Sequence, residues 1–222
     1  MKRKHIALLL PNLRGGGAQR VMITLANEFA KRNFQTDLVL VKQIGPFSKY
    51  VSSDVNVFDL NATRALTSLP GLVKHLRQRS PCGLLSTLAG TNVVAALSHL
   101  ISGSEATLAL RETNPVSIAS NRYSSLNGKV IHLFLFWAYR YADYVIGISK
   151  GMTNDIVDVF GLPSNKTVTI YNPLDPTQRS HTNTNGEDII SGDTPTVLGM
   201  GRLVVEKDFS TLIRAFSRVR SE

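Results

Sequence analysis

The sequence predicts an α/β fold, a doubly wound parallel sheet followed by the opening of a second domain, and three observations carry that expectation. Strand-like apolar runs alternate with helical ones from the first residues onward. The strand runs are almost uniformly apolar, as in parallel sheets whose strands are buried on both faces. The composition then changes abruptly after Tyr171, where a polar stretch separates a final strand-like and helical pair from everything before it.

Along the chain, Ile6–Leu10, a helix over Ala18–Arg32 and Thr36–Val41 make a βαβ opening. In that helix Val21, Leu25 and Phe29 recur at four-residue spacing beside Met22 and Ala26, which predicts one buried face, while Gln19, Asn27 and Lys31 face outward. Strands at Val55–Leu60, Leu84–Leu88 and Thr107–Leu110 alternate with helices around Leu69–Gln78 and Asn92–Ile101. A long helix near Lys129–Ala142 leads into the strand Tyr144–Ile148. Next comes a helix capped by Ser149 and ending at Gly161 before Pro163, and Val168–Tyr171 closes the set. From Asn172 to Thr194 prolines, threonines, asparagines and glycines predominate, which reads as a linker. Beyond it Thr196–Met200 is predicted as a strand and Phe209–Val219 as an amphipathic helix. One βα unit cannot bury its own apolar face, so the pair either joins the first sheet or opens a second domain that is truncated.

Bulk properties exclude several classes. Apolar residues make up 43% and charged residues 18% of 222 positions, a globular balance that rules out a disordered tail and a membrane bundle. The single cysteine, Cys82, cannot form an internal disulfide, and no Cys and His cluster has metal-ligand spacing, so neither a stapled secreted fold nor a metal site is expected. The apolar run after the basic N-terminus stops at Pro11, too short for an export signal, and no run approaches a membrane span. A cytoplasmic location is the expectation. The net charge of +9 favours an anionic partner, whether nucleic acid, lipid surface or phosphorylated small molecule, or else serves as a solvated basic surface. No aromatic and basic signature of an RNA module accompanies it, so no nucleic-acid partner is expected.

Two stretches carry chemistry. Between the first strand and first helix, Gly15, Gly16 and Gly17 let backbone approach a ligand, and the helix start behind them offers N–H groups and a positive dipole end to phosphate or carboxylate. The alternative is a tight strand-to-helix turn. The loop is neither a Walker loop nor a dinucleotide fingerprint, because it has no Gly-Lys-Ser/Thr and Arg20 stands where the last glycine is needed. In the second stretch, Gly199 to Phe209, Arg202 and Lys207 come after a glycine turn and could place two cations beside a helix N-terminus for a diphosphate. There Glu206 and Asp208 could instead pair with those cations or with the helix dipole.

Together these stretches resemble the glycosyltransferases of family 4, which have the two-domain GT-B fold. Gly16-Gly17-Ala18-Gln19-Arg20 is similar to the family's Gly-Gly-Ala-Glu-Arg, with Gln19 for the usual Glu. Ile170-Tyr171-Asn172-Pro173-Leu174-Asp175 resembles its interdomain segment, and Gly201 to Phe216 resembles the start of its donor-binding domain. The resemblance implies a Rossmann-like acceptor-side domain over 1–172, a linker over 173–194 and the first strand and helix of the donor-binding domain over 195–222. It further implies retaining transfer of a sugar from a nucleotide-sugar, commonly a UDP-sugar, to a saccharide or lipid-linked acceptor in bacterial envelope polysaccharide synthesis. No cofactor or metal ion is implied.

By the same resemblance Arg202 and Lys207 would hold the donor diphosphate, with Gly15, Gly16 and Gly17 facing the cleft from the other side. Arg111 to Pro115 resembles an acceptor-side loop in which Glu112 would orient the acceptor hydroxyl as a catalytic carboxylate; a surface ion pair of Glu112 with Arg111 or Arg122 is the competing reading. The family's two donor-reading glutamates, separated by seven intervening residues, have no counterpart in these 222 residues, since no Glu has another eight positions on, so the donor site is expected to be incomplete. The alternative to an active transferase is then an inactive truncated chain acting as an acceptor- or membrane-binding module. The aromatic and basic segment Lys129–Tyr141 could meet an anionic inner membrane peripherally, although core packing accounts for such a stripe as well. His132 is expected to be structural.

Overall fold

The computed structural model describes residues 3–117, 126–173, 197–201, 203 and 207–219, and separates into two compact units, Met1–Asp175 and Pro176–Glu222. In the first unit the order is β1 (His5–Leu10), α1 (Gly17–Lys31), β2 (Gln35–Leu40), β3 (Asn56–Asp59), α2 (Leu69–Arg79), β4 (Gly83–Thr87) and α3 (Ala89–Ser102). After these come β5 (Thr107–Glu112), α4 (Leu126–Tyr141), β6 (Tyr144–Gly147), α5 (Lys150–Phe160) and β7 (Thr167–Thr169). The second unit holds α6 (Phe209–Val219).

All seven strands are parallel in the order β3-β2-β1-β4-β5-β6-β7. The chain winds outward one way through β2 and β3, then returns past β1 and winds the other way. Right-handed crossovers therefore send α1 to one face and α2 to α5 to the other. Alternation along β1 shows the division. Leu8 and Leu10 join Leu38, Leu40, Met22 and Ala26 under α1, while Ala7 and Leu9 join Leu84, Leu108, Leu110 and Val145 under the four-helix face.

Among the described residues four helices pack on one face and only α1 on the other, which leaves the α1 face half covered by them. Leu85, Ala109 and Ile146 on that face are half-buried, whereas Leu8 and Leu38 are fully buried. They line a cavity of about 310 Å³ together with Leu25 and Phe29 of α1 and Tyr171. This corrects the expected buried face of α1. Its fully covered positions are Val21, Met22, Ile23 and Ala26, and Leu25 with Phe29 look into the open half.

The amino edge of the sheet is tied by a buried charge. Asp37 on β2 is fully buried and accepts from Arg79 Nε at 2.9 Å and Nη2 at 3.0 Å, and from Asn56 Nδ2 at 3.1 Å. The Nε2 atoms of His5 and His75 lie 2.8 and 3.3 Å from the same carboxylate. Burial alone would raise the Asp37 pKa; the hydrogen bonds of His75, Arg79 and Asn56 and the charge of His5 outweigh it and hold the carboxyl well below the usual range.

Local signals explain the helix ends. Ser149 Oγ accepts from the Met152 N–H at 3.2 Å, and Gly161 at φ 58 closes α5. Several boundaries shift by one to three residues, among them the start of α3, at Ala89 rather than Asn92, and the end of β7, at Thr169 rather than Tyr171. The strand β5 runs on through Arg111 and Glu112, which continue the ladder to Thr87, Ile146 and Gly147 despite their charges. In the second unit 197–200 form no strand among the described residues, because a lone strand has no neighbour to complete its ladder.

Candidate functional site

The carboxyl edge of a parallel sheet is where strand-to-helix loops converge, and here the first such loop is held closely in place. Pro11 ends the ladder of β1, and buried Leu13 pins the loop to its neighbour. The Leu13 N–H donates to the Ile44 carbonyl at 2.9 Å and its carbonyl accepts from the Phe47 N–H at 3.0 Å. The neighbouring loop is pressed so closely that a Cβ on Gly45 would stand 2.1 Å from the Leu13 carbonyl carbon. Gly15 and Gly16 take φ of 116° and 142°, closed to side chains, and a Cβ on Gly16 would lie 2.8 Å from Gln19 Oε1. Gly16 contributes no side chain to cap α1, and the first turn holds no acidic residue. The result is a glycine-lined helix start whose dipole favours an anion. Arg20 lies one turn on, over the ring of Phe47 at 5.4 Å.

Two strands away, β5 ends in adjacent buried charges. Both oxygens of Glu112 are engaged: Oε1 accepts from the Thr113 and Asn114 N–H groups at 2.9 and 3.2 Å, and Oε2 accepts from the buried Tyr139 hydroxyl on α4. Glu112 thus shapes the loop after β5, while the carbonyl of Arg111 accepts from Asn92 Nδ2 at 3.1 Å. The Arg111 guanidinium, 4% exposed, donates to Thr87 Oγ1 at 3.0 Å and to Asn172 Oδ1 at 2.5 Å. Among the described residues no carboxylate lies within ion-pair reach of Arg111, so a pair with Glu112 does not form; Arg122 lies outside the described residues. Burial pushes the guanidinium pKa down and the neighbouring Glu112 charge pushes it back up. The bond to Asn172 fastens the segment that leaves the sheet to its carboxyl edge.

At the junction of β4 and α3, Leu88 takes φ 75°, ψ 138°, a backbone conformation unusual for a bulky side chain. The Thr91 hydroxyl donates back to the Leu88 and Thr87 carbonyls there.

In the second unit Lys207 is exposed, its aliphatic stem 3.4 Å from where a Cβ on Gly201 would sit. Asp208 accepts from the Thr211 N–H at 3.3 Å at the head of α6. The Thr211 side-chain hydrogen bond, then that backbone bond and the Ser210 hydroxyl, lower its pKa, and Asp208 acts as a helix cap. Arg202 and Glu206 lie outside the described residues. The structure thus places Gly15, Gly16, Gly17 and Glu112 on one sheet edge in the first unit and Lys207 in the second.

Residues 15–178, from the glycine loop through all of β4 to β7, match the profile of Glycosyltransferase Family 4. The chain belongs to that family. A relative in Campylobacter jejuni, 25% identical over 99% of this chain and 60% of its own length, is an N-acetylgalactosamine-N,N'-diacetylbacillosaminyl-diphospho-undecaprenol 4-alpha-N-acetylgalactosaminyltransferase. Among solved structures, Anabaena HepE in complex with UDP and glucose superposes with a TM-score of 0.60 at 20% identity, covering 78% of this chain and 45% of HepE. The sucrose-phosphate synthase of Thermosynechococcus elongatus gives 0.58 at 13% identity, over 76% of this chain and 48% of the synthase. These likenesses establish the Rossmann-like half of a GT-B fold. The chain spans about half the length of the solved structures it matches.

Sequence reasoning named Arg111 and Glu112 within the acceptor-side segment; what it missed is the network around them, the Arg111 guanidinium on Thr87 and Asn172 and the Tyr139 hydroxyl on Glu112. Arg111 closes a strand whose other residues are mostly apolar, and Thr87 and Tyr139 are single polar groups within apolar elements, so the only signal was a charge where the alternation called for a buried side chain.

Proposed function

We propose that this chain is the acceptor-side part of a retaining glycosyltransferase that moves a sugar from a UDP-sugar to a lipid-linked saccharide acceptor in bacterial envelope glycan synthesis. One observation carries the reading: the glycine-lined, uncapped start of α1 sits on the carboxyl edge of the sheet, inside the region that matches Glycosyltransferase Family 4. The lipid-linked acceptor is supported by the name of the Campylobacter jejuni relative, and UDP by the Anabaena HepE complex.

In this reading residues 1–172 form the acceptor-side domain, 173–194 the linker and 195–222 the opening of the donor domain. The Gly15–Gly17 backbone approaches the acceptor or the donor phosphates. Arg202 and Lys207 hold the donor diphosphate and stabilise the charge that develops on the leaving UDP. Glu112 acts by fixing the backbone of the loop that receives the acceptor, since its oxygens are committed to Thr113, Asn114 and Tyr139.

The test is transfer from radiolabelled UDP-sugars to an undecaprenyl-diphosphate saccharide, using the complete polypeptide that carries this chain. Label should enter the lipid phase, the new bond should keep the donor's anomeric configuration, and Lys207→Ala should slow transfer about 100-fold through loss of leaving-group stabilisation. Transfer with inversion, or undiminished transfer by the Lys207 variant, would overturn the reading.

A further inference from the structure

Arg111 is a buried charge that the chemistry proposed above leaves without a task. Its guanidinium is 4% exposed, meets no carboxylate among the described residues, and reaches only neutral oxygens. Burying a cation in this way costs stability, and an apolar side chain of similar length would fill the same space without that cost. Breaches of this kind concentrate at functional positions.

The fork of the guanidinium joins two places far apart along the chain. Nη1 donates to Thr87 Oγ1 at 3.0 Å, 24 residues back on β4, and Nη2 donates to Asn172 Oδ1 at 2.5 Å, 61 residues on. Thr87 is fully buried at the end of its strand, whereas Asn172 is exposed and lies beyond β7. A lysine could not make both contacts from one rigid plane, because an ammonium is a point donor on a flexible stem.

The segment that holds Asn172 has few other ties to the sheet. The Ile170 N–H donates to the Gly147 carbonyl at 3.0 Å, and among the described residues 171–173 make no further backbone hydrogen bond. Ile170 and Tyr171 are 51% and 62% exposed, so apolar packing contributes little. Pro173 narrows the backbone of Asn172 to extended conformations, so holding the Asn172 amide group also holds the path of the main chain. Shortly after it, at Asp175, the first unit ends.

We infer that Arg111 is a positioning residue for sugar transfer: it clasps Asn172 to the end of β4 and so fixes where the chain leaves the sheet. The inference rests on the glycosyltransferase reading above, in which Arg202 and Lys207 follow this segment in sequence. Transfer requires donor and acceptor to be presented in one geometry, and a misplacement of about 1 Å can cost about 100-fold in rate. A rigid exit from the acceptor-side domain narrows that misplacement. Since Thr87 and Asn172 are neutral, the guanidinium charge stays uncancelled and adds to the positive field of the edge, but the directed contact is what positions Asn172.

The complete polypeptide that carries this chain is assayed for transfer with Asn172→Leu, which cuts the clasp and leaves the Arg111 charge in place. Its kcat should fall about tenfold with the KM of donor and acceptor unchanged, the mark of an interaction that matters only when both substrates react. Arg111→Met should lower kcat as far, and the double variant no further, because both remove one shared contact. Asn172→Asp keeps an acceptor oxygen for Nη2 and should stay within about threefold of the parent. A purely structural role would reduce the amount of folded enzyme and leave the kcat of the folded fraction alone.

A second measurement needs no substrate. Hydrogen exchange at the Ile170 amide should quicken about tenfold in Arg111→Met and in Asn172→Leu, stay slow in Asn172→Asp, and leave the amides of β1 unchanged. Asn172→Leu transferring at the parent's kcat overturns the inference. So do losses that multiply in the double variant, or exchange at Ile170 that ignores both substitutions. Absence of transfer by the parent sinks the glycosyltransferase reading and with it the role in transfer. A parent that transfers beside variants that match it sinks this inference alone, so the two failures are distinguishable.

Discussion

The two edges of the sheet handle buried charge in opposite ways. At the amino edge Asp37 is surrounded by Arg79, Asn56, His5 and His75, reaching it from β1, β3 and α2. At the carboxyl edge the Arg111 guanidinium has, among the described residues, only the neutral oxygens of Thr87 and Asn172, and the adjacent Glu112 spends both oxygens on a loop and a tyrosine. One edge surrounds its buried carboxylate with a guanidinium, an amide and two imidazoles. The other keeps a cation that has no paired carboxylate among the described residues, on the same edge as a glycine-lined helix start, an arrangement that serves an incoming anion better than it serves the fold.

If this contrast is right, the largest loss of stability comes from the amino edge. Asp37→Asn should cost about 3 kcal/mol in urea unfolding, because it strands three cationic or potentially cationic groups around a neutral amide. The pH dependence has a definite sign. The folded Asp37 pKa is depressed, so its contribution is complete above the unfolded value of about 3.9 and is lost as pH falls through the lower, folded one. The acid limb of the stability profile should flatten in Asp37→Asn; an unchanged limb would mean that this carboxylate does not dominate acid unfolding.

A smaller effect is expected at Tyr139→Phe, about 2 kcal/mol, from loss of a buried hydrogen bond to the Glu112 carboxylate. Smallest should be Arg111→Met, at about 1 kcal/mol, since removing a desolvated cation offsets much of the loss of its hydrogen bonds to buried Thr87 and to Asn172. An Arg111 variant less stable than the Asp37 variant would reverse the comparison.

The strands and helices of the first unit were legible because each is a local pattern. Ser149 and Gly161 bracket α5 as capping chemistry requires, and the apolar runs of β1 and β2 need no distant partner to be recognised. What escaped the sequence depends on groups far apart along the chain. Asp37 reads as an isolated acid in a strand until His5, His75 and Arg79 are folded onto it. Leu25 and Phe29 fit the helical period of a buried face, but burial depends on whether a second helix covers the sheet beside α1, which no window of sequence reports. The glycine loop was legible as a strand-to-helix turn that lets backbone approach an anion, whereas the way Arg111 is held was not, because the Thr87 and Asn172 oxygens that bind it lie far off along the chain.

The Asp37 cluster also bears on how the chain is made. His5, Asp37, Asn56, His75 and Arg79 all fall within the first 79 residues, so every group that neutralises this carboxylate is synthesised before β4. Domains fold as their N-terminal parts emerge, and pairings close in sequence close first. The half-sheet β3-β2-β1 with α2 can therefore settle its internal charge early and present the free edge of β1 as a template, on which β4 and then the rest of the sheet are laid down in the order of translation.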